Sequence, residues 1–328
     1  MGISSLPLML LLAAAPPVTS APTPPVAQPM SVEAFETVLE EGGIPQLSEA
    51  CADADRFGLQ ERLRLLRERL MLVAPSPQPF DVVMANARAL MVCRAPDSTQ
   101  IVLSRFGPGP GFQRREWLLL SWQSASAALD QDRAVLALRR LADGDLTRLD
   151  RELLIVGQSE EGFPLTRSAL DVLANHEWAA GRPEEAVTVL LAGRTPGVVA
   201  SRRLGQVAEW LAPLDPDRSD LLLEAALDQA AAEQAWGLAE DLLRLQLRIA
   251  LQQGGEADRP RERLRRLASR VDDRFTLLEL EKISPDFDAQ RLRELEDQLR
   301  SPRAAGGHAS LGESDASEAP ASNSLGTP

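Results

Sequence analysis

Three alanines recur at nearly fixed spacing, in Asp132-Arg133-Ala134, Glu184-Glu185-Ala186 and Gly237-Leu238-Ala239, set 52 and 53 residues apart. A leucine-rich run with helical periodicity follows each of them. A small residue at the start of such a run marks a point where a second helix presses close. Self-similarity at this interval predicts stacked helical hairpins. That architecture builds extended surfaces rather than an enclosed catalytic pocket. The competing reading is an irregular helical domain in which Glu-Ala pairs recur because the chain is rich in both residues.

Composition agrees with helices. The chain of 328 residues is 44% hydrophobic and 4% aromatic, with no tyrosine. Leu, Ala, Arg and Glu dominate and β-branched residues are sparse, so the expected fold class is all-α. The net charge is −13 and Lys282 is the only lysine. A field of that sign repels phosphate backbones and anionic lipid headgroups, so neither nucleic acid nor a membrane surface is the expected partner.

The N-terminus has a separate meaning. Residues 6–15 form an apolar run too short for the roughly 20 residues a membrane-spanning helix needs. Val18-Thr19-Ser20 before Ala21 fits a small-residue cleavage rule, which makes 1–20 a signal peptide and the protein an exported one, in the periplasm or an equivalent lumen. No Lys or Arg precedes the run, so an uncleaved anchor is the alternative. Residues 21–30 read as a Pro-rich linker, 31–300 as the helical repeat domain and 301–328 as a disordered acidic Ser/Ala/Gly tail.

Within 31–300, helical spacing is predicted over 81–92 and 117–129, with a helix start at Ser31 bracketed by Met30 and Phe35. Pro183, Pro216, Pro260 and Pro285 fall where first helical turns are expected, with Asp215 and Ser284 as N-caps. No segment alternates as a strand does. To account for the long interval, one further helix per unit is expected at 146–156 and at 198–211, which makes either a three-helix repeat or a degenerate series of hairpins.

Leu173-Ala174, Gly181, Glu184-Glu185-Ala186 and Leu190 together resemble the tetratricopeptide repeat over about 26 residues. In that family a small residue on one helix meets an alanine on the next, with an acidic pair just before it. The resemblance implies a TPR-like α-solenoid, although the 52- and 53-residue intervals exceed the family's ~34-residue period and Trp122 stands where a small residue is wanted. Cys93-Arg94-Ala95-Pro96 and the segment from Glu116 to Trp122 are similar to exported cyanobacterial helical proteins, a resemblance that implies no function.

Few residues invite chemistry. Cys51 and Cys93 are the only cysteines, and an exported chain with an even count admits a disulfide between them; two buried thiols are the alternative. Both lie on expected helices separated by one helical run, 59–73, which would place them side by side on successive hairpins. His176 and His308 are the only histidines, and His308 falls in the tail. One ordered histidine supplies neither a zinc cage nor a Ser-His arrangement, and His176 beside Glu177 reads as structural. The Glu/Arg runs at 61–69 and 261–270 read as solvated helix faces. Gly107-Pro108-Gly109-Pro110-Gly111 lacks the Lys-Ser/Thr of a phosphate loop and reads as a linker. Trp117, Trp122, Trp178, Trp210 and Trp236 are expected mid-helix between neighbours, with one or two of them lining a groove as the alternative.

The expected function is a non-enzymatic protein-binding or scaffold module that holds a protein or peptide partner in the groove of a helical solenoid. No catalytic residue, metal or cofactor is expected. A self-assembling structural spacer is the first alternative, and a cell-envelope hydrolase or its accessory is the second.

Overall fold

A computed structural model describes residues 28–73, 78–284 and 288–300; the expected signal peptide, His308, Pro285 and the tail lie outside them. Ser31 caps α1 (Val32–Glu41) by accepting the Ala34 N–H, and Met30 and Phe35 join one core, as the N-terminal pattern predicts. Helical hairpins follow. They pair α2 (Ile44–Arg56) with α3 (Gln60–Leu72), α4 (Phe80–Val92) with α5 (Pro96–Leu103), and α6 (Phe112–Ala127) with α7 (Gln131–Ala142). Next come α8 (Ala169–Ala179) with α9 (Pro183–Leu191), then the single helix α10 (Val198–Leu211). The last are α11 (Pro216–Ala232) with α12 (Trp236–Gln253), and α13 (Asp258–Val271) with α14 (Arg274–Lys282), closed by α15 (Ala289–Arg300). Among the described residues, no helix is long and apolar enough to cross a membrane.

The six hairpin turns share one construction. Gly58, Arg94, Leu129, Gly181, Gln234 and Asp272 all adopt left-handed φ between 55° and 76°. In each turn the following N–H reaches back five residues to a helix carbonyl at 2.8–3.0 Å, for example Arg182 to Glu177 and Asp273 to Ala268. That bond satisfies an orphan carbonyl at the end of the first helix and reverses the chain in two or three residues. The turn residues stand 36, 35, 52, 53 and 38 apart. The underlying unit is therefore shorter than the alanine interval, and the two long gaps hold insertions.

The second insertion is α10, with the bounds expected for it. The first is not a helix. Residues 146–150 form a short 3-10 helix (Leu146–Asp150), and β1 (Leu153–Gln158) then pairs antiparallel with β2 (Pro164–Ser168). This corrects the expectation of a helix over 146–156 and of a chain without strands. Asp143 and Gly144 both take positive φ after α7. Leu153-Leu154-Ile155-Val156 then runs apolar without helical periodicity, Gly157 follows, and Gly162 at φ 85° turns the hairpin. Val156 is bulged out of register between the Ile155–Thr166 and Gly157–Leu165 pairs.

Among the described residues, substantial helix contacts run between helices one or two apart in order. The apolar interior follows the same logic as three clusters in a row. The first and second divide α6 between Leu120 and Trp122, and the second and third divide α10 between Val207 and Ala208. Ala134, Ala186 and Ala239 are the fourth residues of α7, α9 and α12, and all three are buried. Gly205 lets α10 lie close against α12, since a Cβ there would collide with Leu242.

Two smaller expectations change. Asp288, not Ser284, caps α15, accepting the N–H groups of Gln290 and Arg291 at 2.8 and 3.3 Å. Trp236 is not mid-helix; it opens α12, 39% exposed, with the Arg270 guanidinium 5.8 Å from its ring centre.

Candidate binding groove

The β-hairpin is thrown out from the helical body because its sequence offers only one inward side chain, Leu154, which is buried. Leu153, Ile155, Val156, Phe163 and Leu165 remain between 43% and 68% exposed. Five large apolar side chains on one surface ribbon, residues 153–168, form a patch of the kind that marks interaction sites. Beneath it two clefts adjoin, of about 850 and 620 Å3, sharing Thr166, Arg167 and Asn175. The first is walled by α6, the start of α7 and α8, the second by α8 and α10.

His176 lies on the floor of the first cleft with both ring nitrogens engaged. Trp122 Nε1 donates to its Nε2 at 3.0 Å, and Nδ1 faces Gln131 Oε1 at 2.7 Å. The pair of contacts assigns the neutral ring with its proton on Nδ1, and burial pushes its pKa below the usual value. An imidazole so held joins α6, α7 and α8 rather than offering a free lone pair. Its neighbour Glu177 is almost fully buried between Arg139 of α7 and Arg182 at the foot of α9, whose Nε donors both lie 2.6 Å from its carboxylate. The motif around Gly181 thus carries an ionic clasp as well as a close helix approach.

The second cleft rests on a buried arginine. Arg203 Nε donates to Asp171 Oδ1 at 2.6 Å, and its Nη1 stands 2.6 Å from Asp150 Oδ1, a close ion pair without hydrogen-bond alignment. Asp150, the last residue of the 3-10 helix, uses Oδ2 to accept the backbone N–H groups of Arg194 and Thr195, both at 2.8 Å, and the Thr195 hydroxyl at 2.9 Å. Burial pushes the Asp150 carboxyl up, yet the Arg194 N–H, Arg203 and Thr195 outweigh it and hold its pKa at about 2. Gly193 leaves room for this clamp, since a Cβ there would strike the Arg203 guanidinium. Asn175 completes the wall between clefts, donating to Asp171 O at 2.9 Å and accepting from Gln206 Nε2 at 3.0 Å.

Other residues singled out by sequence lie elsewhere. Cys51 of α2 and Cys93 at the end of α4 are joined in the first core, with Cα atoms 4.8 Å apart, a separation a disulfide accommodates. α2 packs on α4, with α3 intervening in sequence only. Trp117 and Trp122 sit inside α6; Trp178, near the end of α8, stacks on Trp210 of α10 at 4.9 Å and 40% exposed. Only Trp122 among the five lines either cleft. The Glu/Arg runs are surface pairs, as in Glu61–Arg64–Glu68 and Glu262–Arg265–Arg266. The apolar hairpin and the Asp150–Arg203 clamp were missed, although Ile155-Val156 with Gly162 ahead of Pro164 is a hairpin signal in the sequence.

No known family model matches the chain, and no curated protein matches it.

Proposed function

We propose that this chain is a non-enzymatic binding module of tetratricopeptide-like, solenoidal build, whose groove beneath the β-hairpin captures a segment of a partner protein. The observation that carries the reading is the hairpin itself: exposed Ile155, Val156 and Leu165 line the first of two adjoining clefts and exposed Leu153 lines the second. Turn intervals of 35, 36 and 38 residues outside the insertions lie close to the ~34-residue repeat of the resembled family, which supports the solenoid reading. Within the clefts, Asp150, Asp171 and His176 are tied to structural partners, which favours holding a ligand over transforming one. We place the module in an exported compartment, on the apolar run at 6–15 and the small residues before Ala21.

The test uses the full chain as bait for an envelope extract of its native host, beside the double variant Ile155→Ser, Leu165→Ser. Both positions are about half exposed, so the helical body tolerates the change. Discrete proteins held by the native chain and released by the variant are the expected result. Equal retention by both refutes the groove, and self-association alone turns the reading to the structural spacer. N-terminal sequencing of the mature protein is expected to begin near Ala21; Met1 retained in a cytosolic fraction refutes export.

A further inference from the structure

The two clefts under the hairpin do not end there. The second meets a third, of about 300 Å3, at Asp150 and Thr195, and the third meets a fourth, of about 330 Å3, at Arg148. Together these neighbouring clefts mark a track from the hairpin past the 3-10 helix to the first turn of α6. Its charges are sorted in a way the rest of this acidic chain is not. Three carboxylates line the track, and each is already paired: Asp143 with Arg148, and Asp150 and Asp171 with Arg203. Against them stand Arg167, Arg202, Arg194, Arg151, Arg140 and Arg114, whose side chains make no ion pair or hydrogen bond among the described residues. Elsewhere the chain carries most of its −13 net charge, so a surplus of unpaired guanidinium groups is concentrated here.

We infer that this track is the binding path of an extended acidic peptide, a run of Asp or Glu flanked by large apolar residues. The inference rests on the binding-module reading and supplies the chemistry of its partner. Guanidinium groups present planar forks that match carboxylates. Both ends of the track are apolar: Ile155, Val156 and Leu165 at one, Phe112, Leu118 and Leu141 at the other. Apolar side chains at both ends suit the large apolar side chains of a peptide. A nucleic acid strand needs stacking faces along its whole length, and the arginine stretch between the ends has no aromatic side chain.

The experiment measures fluorescence polarisation of a labelled peptide with six consecutive glutamates between a leucine and a phenylalanine. Its companions are the same peptide with glutamines and an oligothymidylate of equal charge, all titrated with the full chain at low salt. The glutamate peptide is expected to bind, to weaken as salt rises, and to outcompete both companions. Arg151→Gln, Arg194→Gln and Arg202→Gln together, all at exposed positions, are expected to weaken it about tenfold, at unchanged circular dichroism. Arg218→Gln with Arg293→Gln, exposed but off the track, is expected to leave binding intact. Equal binding by the native chain and the triple variant overturns the inference, as does oligothymidylate binding as tightly as the peptide. If the glutamate peptide fails to bind while extract proteins still depend on Ile155 and Leu165, the acidic track falls and the binding module stands.

Discussion

Asp150→Asn tests whether the clamp under the second cleft holds the insertion in place. In the native chain the carboxyl titrates at about 2 against 3.8 for an ordinary aspartate, while its side chain is only 5% exposed. A downward shift of that size corresponds to about 2 kcal/mol of stability. It is fully present above pH 3.8 and lost as the pH falls through about 2. The amide variant also leaves Arg203, 7% exposed, with Asp171 as its only carboxylate. Breaking one side of a buried ion pair costs about 3 kcal/mol, the lower end of the usual range because one partner survives. Urea unfolding at pH 7 reads the total. Hydrogen exchange reads its location, since stability in a row of neighbouring contacts is local and the amides of 146–158 and 194–195 should open first. Adding Arg203→Met to Asp150→Asn should recover part of the loss by removing the stranded charge. The gap between native and Asp150→Asn should hold from pH 7 to about 4 and close toward pH 2. A loss under about 1 kcal/mol, or one that ignores acid, would show that Asp150 and Arg203 are neighbours of little consequence.

Ala186→Trp should overpack the α8–α9 contact, where Ala186 is fully buried, and cost more than the roughly 1–3 kcal/mol of added core volume. Ala192→Trp, at the half-buried end of α9, should cost less, and equal melting shifts would deny an alanine-centred crossing. Thiol counting on unfolded, unreduced protein should find no free cysteine, and reduction should remove about 4 kcal/mol for the 42-residue separation of Cys51 and Cys93; two free thiols would place them as ordinary core residues. His176 is held neutral by burial, so its contribution is complete above pH 6.5 and is lost as pH falls through its lower folded value. The Trp122 indole N–H resonance should follow that titration, and a resonance that stays fixed while the His176 ring itself titrates would mean that no hydrogen bond joins them.

What the sequence made legible depended on which residue carried the constraint. Helices with strong caps or first-turn prolines were readable, such as α1 behind Ser31 and α11 behind Asp215 and Pro216, because a single side chain fixes the boundary. The groove was not readable. Its apolar hairpin is a local feature confined to residues 153–168 inside a helical chain, and its clamp joins Asp150 to Arg203 across 53 positions, a pairing without local signature. Nor does sequence reveal that Asp143, Asp150 and Asp171 are already engaged, which is what leaves the nearby arginines unpaired.

The hairpin order shows why a correct signal can carry the wrong period. Alanine fills the fourth position of the second helix in three hairpins, but Leu63, Thr99 and Leu277 fill the same position in the others. Leu63 and Thr99 are buried there without being alanine and Leu277 is half-buried, so an alanine search passes over those hairpins. The shared element is instead the left-handed turn residue, and that too is masked, being glycine in only two turns of six. Arg94, Leu129, Gln234 and Asp272 adopt a conformation that costs about 1 kcal/mol each, offset by the backbone bond that closes the helix end. The three visible alanines happen to flank the two insertions, so the spacing between them measured hairpin plus insertion. The insertions differ in kind, one a 3-10 helix with a β-hairpin and the other α10, so the element order agrees with an uneven series of hairpins and not with a uniform three-helix unit, the two readings that the long interval admits. The departure from the hairpin period is also where the groove sits: the first insertion provides its overhang and the second provides Arg203. Where hairpins pack on their neighbours in order, residues inserted between them lie outside that pairing, which is why both insertions contribute side chains to the clefts.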